Sequence, residues 1–233
     1  MGLKTWLADL TASMFPRLCE VCGRPLTRGE EIICLECLAE MPRCRFHRLP
    51  FNRLHEKLAD PNLLIDRAAA LFYYTRGNAW ARLLQKGKYD NQPQIFSYLG
   101  RLLAREIRPD GFFDGIDLIV PVPLHPSKLR RRGYNQSLVL AQAVSEVTGI
   151  PIAEPLEAYR HETQTRRSAV NRWLNAKDVY TCPDGSALAG RHLLVVDDIV
   201  TTGATVRACC RALLGAEPTV RLSVLSVGVT SID

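Results

Sequence analysis

The sequence predicts an α/β domain, a mainly parallel sheet with helices on both faces, preceded by a small N-terminal zinc-ribbon-like module. Three observations carry that prediction. The run Leu193-Leu194-Val195-Val196 passes directly into Asp197-Asp198, then into the short loop Thr201-Thr202-Gly203-Ala204-Thr205, and then into a helix-like stretch from Val206 to Leu214. Consecutive apolar residues of this kind suit a strand buried on both faces, as in parallel sheets. From Arg67 onward, strand-like and helix-like stretches alternate, which is the signature of a doubly wound sheet. The front of the chain carries C-x2-C twice, Cys19/Cys22 and Cys34/Cys37, with eleven residues between the pairs.

Taken in order, Leu3 to Phe15 has Leu7, Leu10 and Met14 at helical spacing and reads as an amphipathic helix. Asp9 interrupts any signal-peptide core, and the polar face has too little basic charge for a membrane-surface helix. The paired C-x2-C turns offer four thiolates to one tetrahedral Zn²⁺, with Gly23 and Gly29 easing the turns. Four thiolates leave no open position, so the metal is structural. Two disulfides, or a redox C-x-x-C, are the competing readings, and a reducing compartment disfavours the first. Cys44 or His47 could replace one ligand, although the regular spacing favours the four. A boundary near Arg53–Pro61 divides residues 1–60, the zinc module, from residues 61–233, the α/β domain.

Ala68–Tyr74 reads as a strand and Ala79–Leu84 as a helix leading to Lys86-Gly87-Lys88-Tyr89. Ile95–Ile107 is an amphipathic helix, and Asp117–Val122 the next strand. The segment Pro121 to Gln136 holds three prolines and then Lys128, Arg130, Arg131 and Arg132. Those prolines and Gly133 predict a shaped loop rather than a helix. Asn135 is placed to cap a helix over Gln136–Val147, which Gly149 and Pro151 end. Leu193–Asp197 and Val220–Val229 complete the strands. Cys209 and Cys210 fall on the helix after the Thr/Gly loop and read as packing residues.

Composition narrows the function. The 233 residues are 47% hydrophobic and 23% charged, ordinary for a folded protein. No apolar run reaches the roughly 18–20 residues that cross a bilayer, so the expected location is the cytoplasm. The net charge is +6. Residues 128–172 hold eight Lys/Arg (128, 130, 131, 132, 160, 166, 167, 172) against four Glu (146, 154, 157, 162), so this stretch supplies +4 of it. A localised excess points to a polyanionic partner, either pyrophosphate or nucleic acid, against the plainer reading of a solvated basic face. Tyr134, Tyr159 and Trp173 lie among these cations and are candidates for base stacking or for the core.

The acid pair and its loop carry the chemistry. Carboxylates at the carboxyl end of a parallel strand lie where open α/β sheets bind ligands. A Thr/Gly loop at a helix N-terminus offers hydroxyls and free N–H groups to an anion. Together they suit a sugar phosphate, with the carboxylates on ribose hydroxyls and the loop on the 5′-phosphate. This pattern resembles the phosphoribosyl pyrophosphate (PRPP) motif of type I phosphoribosyltransferases. With the four-cysteine front end, Lys86 to Tyr89, Pro121-Val122-Pro123, Arg132-Gly133-Tyr134-Asn135-Gln136, and a looser Gln164, Arg172 and Asn175, nearly the whole chain resembles the competence protein F (ComF/GntX) family.

That resemblance implies a type I phosphoribosyltransferase-like fold. PRPP would sit on Asp197, Asp198, Thr201, Thr202, Gly203, Ala204, Thr205 and Lys128, with Mg²⁺ bridging pyrophosphate and ribose oxygens. Asp197, Asp198 and Arg132 would be the catalytic residues, with Lys128 and Arg166 as further candidates for neutralising the leaving pyrophosphate as C1′ gains oxocarbenium character. The family's association with natural transformation implies single-stranded DNA as a partner, held through Arg130, Arg131, Arg132 and Arg166. It also implies a competence helicase or DNA-processing protein, and work at the inner face of the membrane. No nucleobase-recognition element and no separate general base stand out. Two readings therefore remain: a PRPP-binding module of DNA uptake, and an active phosphoribosyltransferase of nucleotide or related metabolism with an unidentified acceptor and no DNA role.

Overall fold

Four parallel strands form the centre of the molecule: β1 (Ile65–Tyr74), β2 (Leu118–Pro121), β5 (His192–Val200) and β6 (Arg221–Thr230), side by side in the order β1-β6-β5-β2. The computed structural model describes residues 16–159 and 180–231. The helix expected over Leu3–Phe15, and the cations and aromatics at 160, 166, 167, 172 and 173, lie outside the described residues, as do Gln164 and Asn175. Around the sheet are α1 (Leu35–Ala39), α2 (Arg53–Leu58), α3 (Ala79–Tyr89), α4 (Pro93–Ile107), α5 (Pro126–Arg132), α6 (Gln136–Thr148) and α7 (Ala204–Ala216). A two-stranded antiparallel ribbon, β3 (Glu157–Ala158) with β4 (Tyr180–Thr181), was not anticipated, since two-residue strands carry no periodic signal.

The central strands are apolar because both faces are covered. Leu194 and Val196 of β5 join one buried cluster with Leu83, Phe96, Leu99, Leu140 and Val144 from α3, α4 and α6. Leu193 and Val195 join the other, with Leu54 and Leu58 of α2 and Val206, Cys209, Cys210 and Leu213 of α7. Alternation along one strand thus feeds two separate cores. Cys209 and Cys210 are fully buried packing residues, as expected.

The cysteine module does not stand apart from this architecture. Cys19, Ile33, Cys34, Cys37 and Met41 belong to the same buried cluster as α3 and α4. Past the module, the chain runs along β1, with Cys44 N–H donating to Leu71 O at 3.1 Å and Tyr73 N–H to Pro42 O at 2.9 Å. This covers a sheet edge that would otherwise be open. Arg43 adds an ion pair to Glu106 of α4 at 2.8 Å.

One expectation is corrected. The segment after β2 is not a loop throughout: Pro126–Arg132 forms α5. Pro126 sits in its first turn, where a missing N–H costs nothing, and Gly133 closes it at φ 80°. The same residues that punctuate loops also start and stop short helices.

Candidate functional site at the end of the central strand

Register places the acid pair. Val196 of β5 pairs with Leu225 of β6 and Asp197 with Ser226, while on the other side Pro121 of β2 lies opposite Val196. Pro121 ends β2, and Val122 N–H makes the last ladder bond to Val196 O at 2.9 Å. The sheet therefore opens beside Asp197, and the Pro121-Val122-Pro123 segment forms one wall of the opening. Asn135 spans it: its amide donates to Val122 O at 3.0 Å, and its Oδ1 caps α6 by accepting from Ser137 N–H at 3.1 Å.

Both acids are buried, Asp197 at 9% and Asp198 at 8% exposure. Asp197 Oδ1 accepts from Ser137 Oγ at 3.1 Å and from Asp198 N–H at 2.9 Å. Asp198 pairs with Lys88 Nζ at 2.8 Å. Burial, and then repulsion from Asp198, push the Asp197 carboxyl up to about 7, against the pull of the Asp198 amide, Lys88 and Ser137. Among the described residues, one cation, Lys88, thus compensates two adjacent carboxylates. Such a pair is poised to accept hydroxyl donors or a metal ion, either of which would favour its ionised form.

The Thr/Gly loop follows immediately. Thr201, Thr202, Gly203, Ala204 and Thr205 line, with Asp197, a small cavity of about 30 Å³. Gly203 has φ 76° and, as the cap of α7, offers no side chain to the first-turn amides; the Ala204 N–H donates to Thr202 Oγ1 at a long 3.4 Å, so this helix N-terminus is open to an anion. A Cβ at Gly203 would stand 2.6 Å from Lys57 O, so the loop's close approach to α2 requires glycine. Arg207 ties the loop down through Thr202 O at 3.0 Å and also through Lys57 O.

The cations of α5 divide by surroundings. Lys128, Arg130 and Arg131 are exposed. Arg132 donates to Gln136 Oε1 at 2.7 Å and to the Tyr89 hydroxyl at 3.5 Å. Arg131 and Arg132 both lie over the Tyr89 ring, 5.7 and 5.3 Å from its centre. Tyr89 is 59% exposed. Tyr134, a stacking candidate by sequence, turns inward instead: its hydroxyl donates to Gly87 O, and its ring packs against Phe96 at 6.5 Å. Tyr159 stays half exposed beside Arg130 in a separate cavity of about 500 Å³ with His125 and Glu157.

The four N-terminal cysteines converge as the spacing predicts. Their sulfurs all lie within 4.8 Å of one another, and Cys22 and Cys34 are 3.8 Å apart. Four sulfurs at bonds of about 2.3 Å from a tetrahedral metal are about 3.8 Å apart, so the donor set fits Zn²⁺. The Arg24 guanidinium lies 3.5 Å from Cys22 Sγ and 3.9 Å from Cys34 Sγ, and holds the Cys22 thiol down to about 6. Cys44 stands outside the quartet, and burial pushes its thiol up to about 12.

Similarity to known proteins agrees with this geometry. The family model described as "Phosphoribosyl transferase domain" matches residues 133–228, which run from the turn before α6 through the acid pair into β6. The chain is 31% identical over 210 residues to the DNA utilization protein YhgH of Escherichia coli K12, covering 84% of each. It is 27% identical over 197 residues to Competence protein ComFC of Bacillus subtilis, covering 84% of this chain and 71% of that protein. With Competence protein F of Haemophilus influenzae it shares 34% over 143 residues, 58% of this chain and 62% of that one. The chain belongs to the ComF family of phosphoribosyltransferase-like proteins.

Within this ComF-family chain, sequence reasoning assigned no role to three residues that the fold brings to the site. Lys88 neutralises Asp198, Ser137 holds Asp197, and Tyr89 supports the arginines of α5. Lys88 and Tyr89 sit in a stretch that the family resemblance already singled out. Ser137 follows a cap residue and carries no local signal.

Proposed function

We propose that this chain binds PRPP with Mg²⁺ across the end of β5 and serves, through that site and the basic face of α5, in handling single-stranded DNA during uptake. One observation carries the reading: a buried acid pair, compensated among the described residues by one cation, opens onto a Thr/Gly loop whose helix begins at a glycine with no capping side chain. Asp197 and Asp198 accept from the ribose hydroxyls, and the amides and hydroxyls of Thr201–Thr205 take the 5′-phosphate.

The hard oxygens of the Asp197 and Asp198 carboxylates suit Mg²⁺ as a further partner of the pair, and the ion would draw Asp197 into its ionised form against the burial that raises its pKa. When bound, that ion neutralises pyrophosphate charge. Lys128 and Arg132 on α5 supply further positive charge to the pyrophosphate. Arg130, Arg131 and Arg132, with Arg166 of the basic stretch, supply the charge that neutralises the DNA backbone. The names of the relatives, two of them competence proteins and one a DNA utilization protein, support the DNA role; a DNA-processing protein or helicase is the partner that such a role calls for. Zn²⁺ on Cys19, Cys22, Cys34 and Cys37 is structural. Among the described residues, no helix is long and apolar enough to cross a membrane.

A second reading, phosphoribosyl transfer to an acceptor without a DNA role, draws support from the cavity of about 500 Å³ beside α5, whose Tyr159, Arg130 and Glu157 could hold a planar polar molecule. Phosphorus NMR of PRPP with Mg²⁺ separates the two. Broadened PRPP resonances that persist unchanged with single-stranded DNA present mark a binding module. Growth of a free pyrophosphate signal with a candidate acceptor marks the enzyme, and unbroadened resonances throughout reject both.

A further inference from the structure

Four consecutive residues at the end of α3 are each fastened to a different part of the molecule. Lys86 Nζ donates to the Glu20 carboxylate at 2.8 Å and to the Glu20 main-chain oxygen at 3.4 Å, inside the Cys19–Cys22 turn. Gly87 O accepts from the Tyr134 hydroxyl. The Gly87 Cα is pressed so close to Phe96 that a Cβ would stand 2.5 Å from the ring. Lys88 meets Asp198 at 2.8 Å with side chains only 15% and 11% exposed. Tyr89 lies under Arg131 and Arg132.

Residues two apart on a helix project roughly 200° from each other, so Lys86 and Lys88 leave α3 in nearly opposite directions. One side chain reaches the cysteine turn and the other the acid pair. The last turn of a helix is where backbone bonds run out and fraying begins. The chain then turns through Asn91 at φ 52° before α4 begins at Pro93, so the backbone ladder of α3 is not continued past this turn. A lysine on four methylenes is a flexible partner for a buried carboxylate, and such a pair favours the fold only when its geometry is held.

We propose that the Glu20–Lys86 contact is a positioning clamp, through which the cysteine turn sets the orientation of the end of α3 and so holds Lys88 on Asp198, ready for the anionic ligand. The ligand part of this inference rests on the PRPP reading above. The clamp itself does not.

Two measurements on the full-length, zinc-loaded protein keep them distinct. The first is the rate at which an amine-acylating reagent modifies Lys88, followed by mass spectrometry without ligand. Lys88 should be slow in the wild type and several-fold faster in Lys86→Met, with Lys86→Arg restoring protection. The second is PRPP–Mg²⁺ affinity by calorimetry. Lys86→Met should weaken it about fivefold, as expected of a partly exposed pair, with the zinc content unchanged. Lys88→Met should weaken it about tenfold or more, and adding Lys86→Met to Lys88→Met should cost nothing further, because the clamp acts only through Lys88. Unchanged Lys88 labelling in Lys86→Met overturns the clamp, as does a Lys86→Met loss that persists in full in the Lys88→Met background. A wild type that binds no PRPP overturns the ligand reading, and the labelling still decides the clamp.

Discussion

Asp197 concentrates the energetic conflict of the site. Its carboxyl is buried beside another carboxyl, and its native pKa is raised to about 7. Between about 4 and about 7 the folded state therefore holds a proton that the unfolded chain releases, and stability falls as pH rises through that window. Asp197→Asn keeps an oxygen for Ser137 and for the Asp198 amide but removes the charge. We expect this variant to be more stable than the wild type at about pH 8, by on the order of 2 kcal/mol, while losing PRPP. Urea unfolding at that pH checks the first half, and an equal or less stable variant would show that the ionised carboxylate is well compensated. Gly203 and Ser137 illustrate what a single residue discloses. Glycine in a Thr-rich loop before a helix signals a special backbone, and its close contact with Lys57 O bears that out. A serine in the first turn of a helix signals nothing about a carboxylate sixty positions away.

At the scale of elements, what was legible depended on whether the signal is contiguous. β5, its acid pair and its loop occupy one unbroken stretch, and α4 and α6 carry long apolar stripes, so each could be read directly. The paired C-x2-C turns were legible for the same reason. Helix α5 was missed because Pro126 and Gly133 bound a helix of only seven residues that buries no side chain. Lys88 was missed because its partner belongs to another element. For α5 we expect sequence-tolerant binding of single-stranded DNA in which log affinity falls with log salt. Replacing Arg130, Arg131 and Arg132 by Ala should flatten that slope by up to about two units, at about 0.7 per phosphate. Fluorescence anisotropy on several unrelated oligonucleotides over a salt series measures this. An unaltered slope in the triple variant would assign these arginines to pyrophosphate or solvent. For the cysteine module, metal analysis of freshly purified protein should find one zinc per chain, lost in Cys34→Ser. Because Cys34 shares its cluster with α3 and α4, that variant should also melt at a lower temperature.

The described molecule is a sheet with two cores, an acid pair at one end and a buried histidine set. The side chains of His47, His55 and His192 are buried, and burial lowers the pKa of each. A lowered histidine pKa means that the unfolded chain takes up protons first, so stability falls as pH drops below about 6.5. Asp197 opposes that trend from about 7 down to about 4, and Asp197→Asn should therefore lose stability with acid more steeply than the wild type. Urea midpoints at about pH 8 and about pH 5.5 for both proteins test this, and parallel losses would contradict the opposing signs. The central claim is that the end of β5 is a PRPP site built on the acid pair. Its most direct test is calorimetric titration of PRPP with Mg²⁺ into the wild type and into the double variant Asp197→Asn, Asp198→Asn. We expect saturable one-to-one binding by the wild type and a loss of more than about a hundredfold in the folded double variant, since each charge-assisted hydrogen bond contributes roughly 1.5–3 kcal/mol. Equal affinity in the two proteins, or no binding by the wild type, would contradict it.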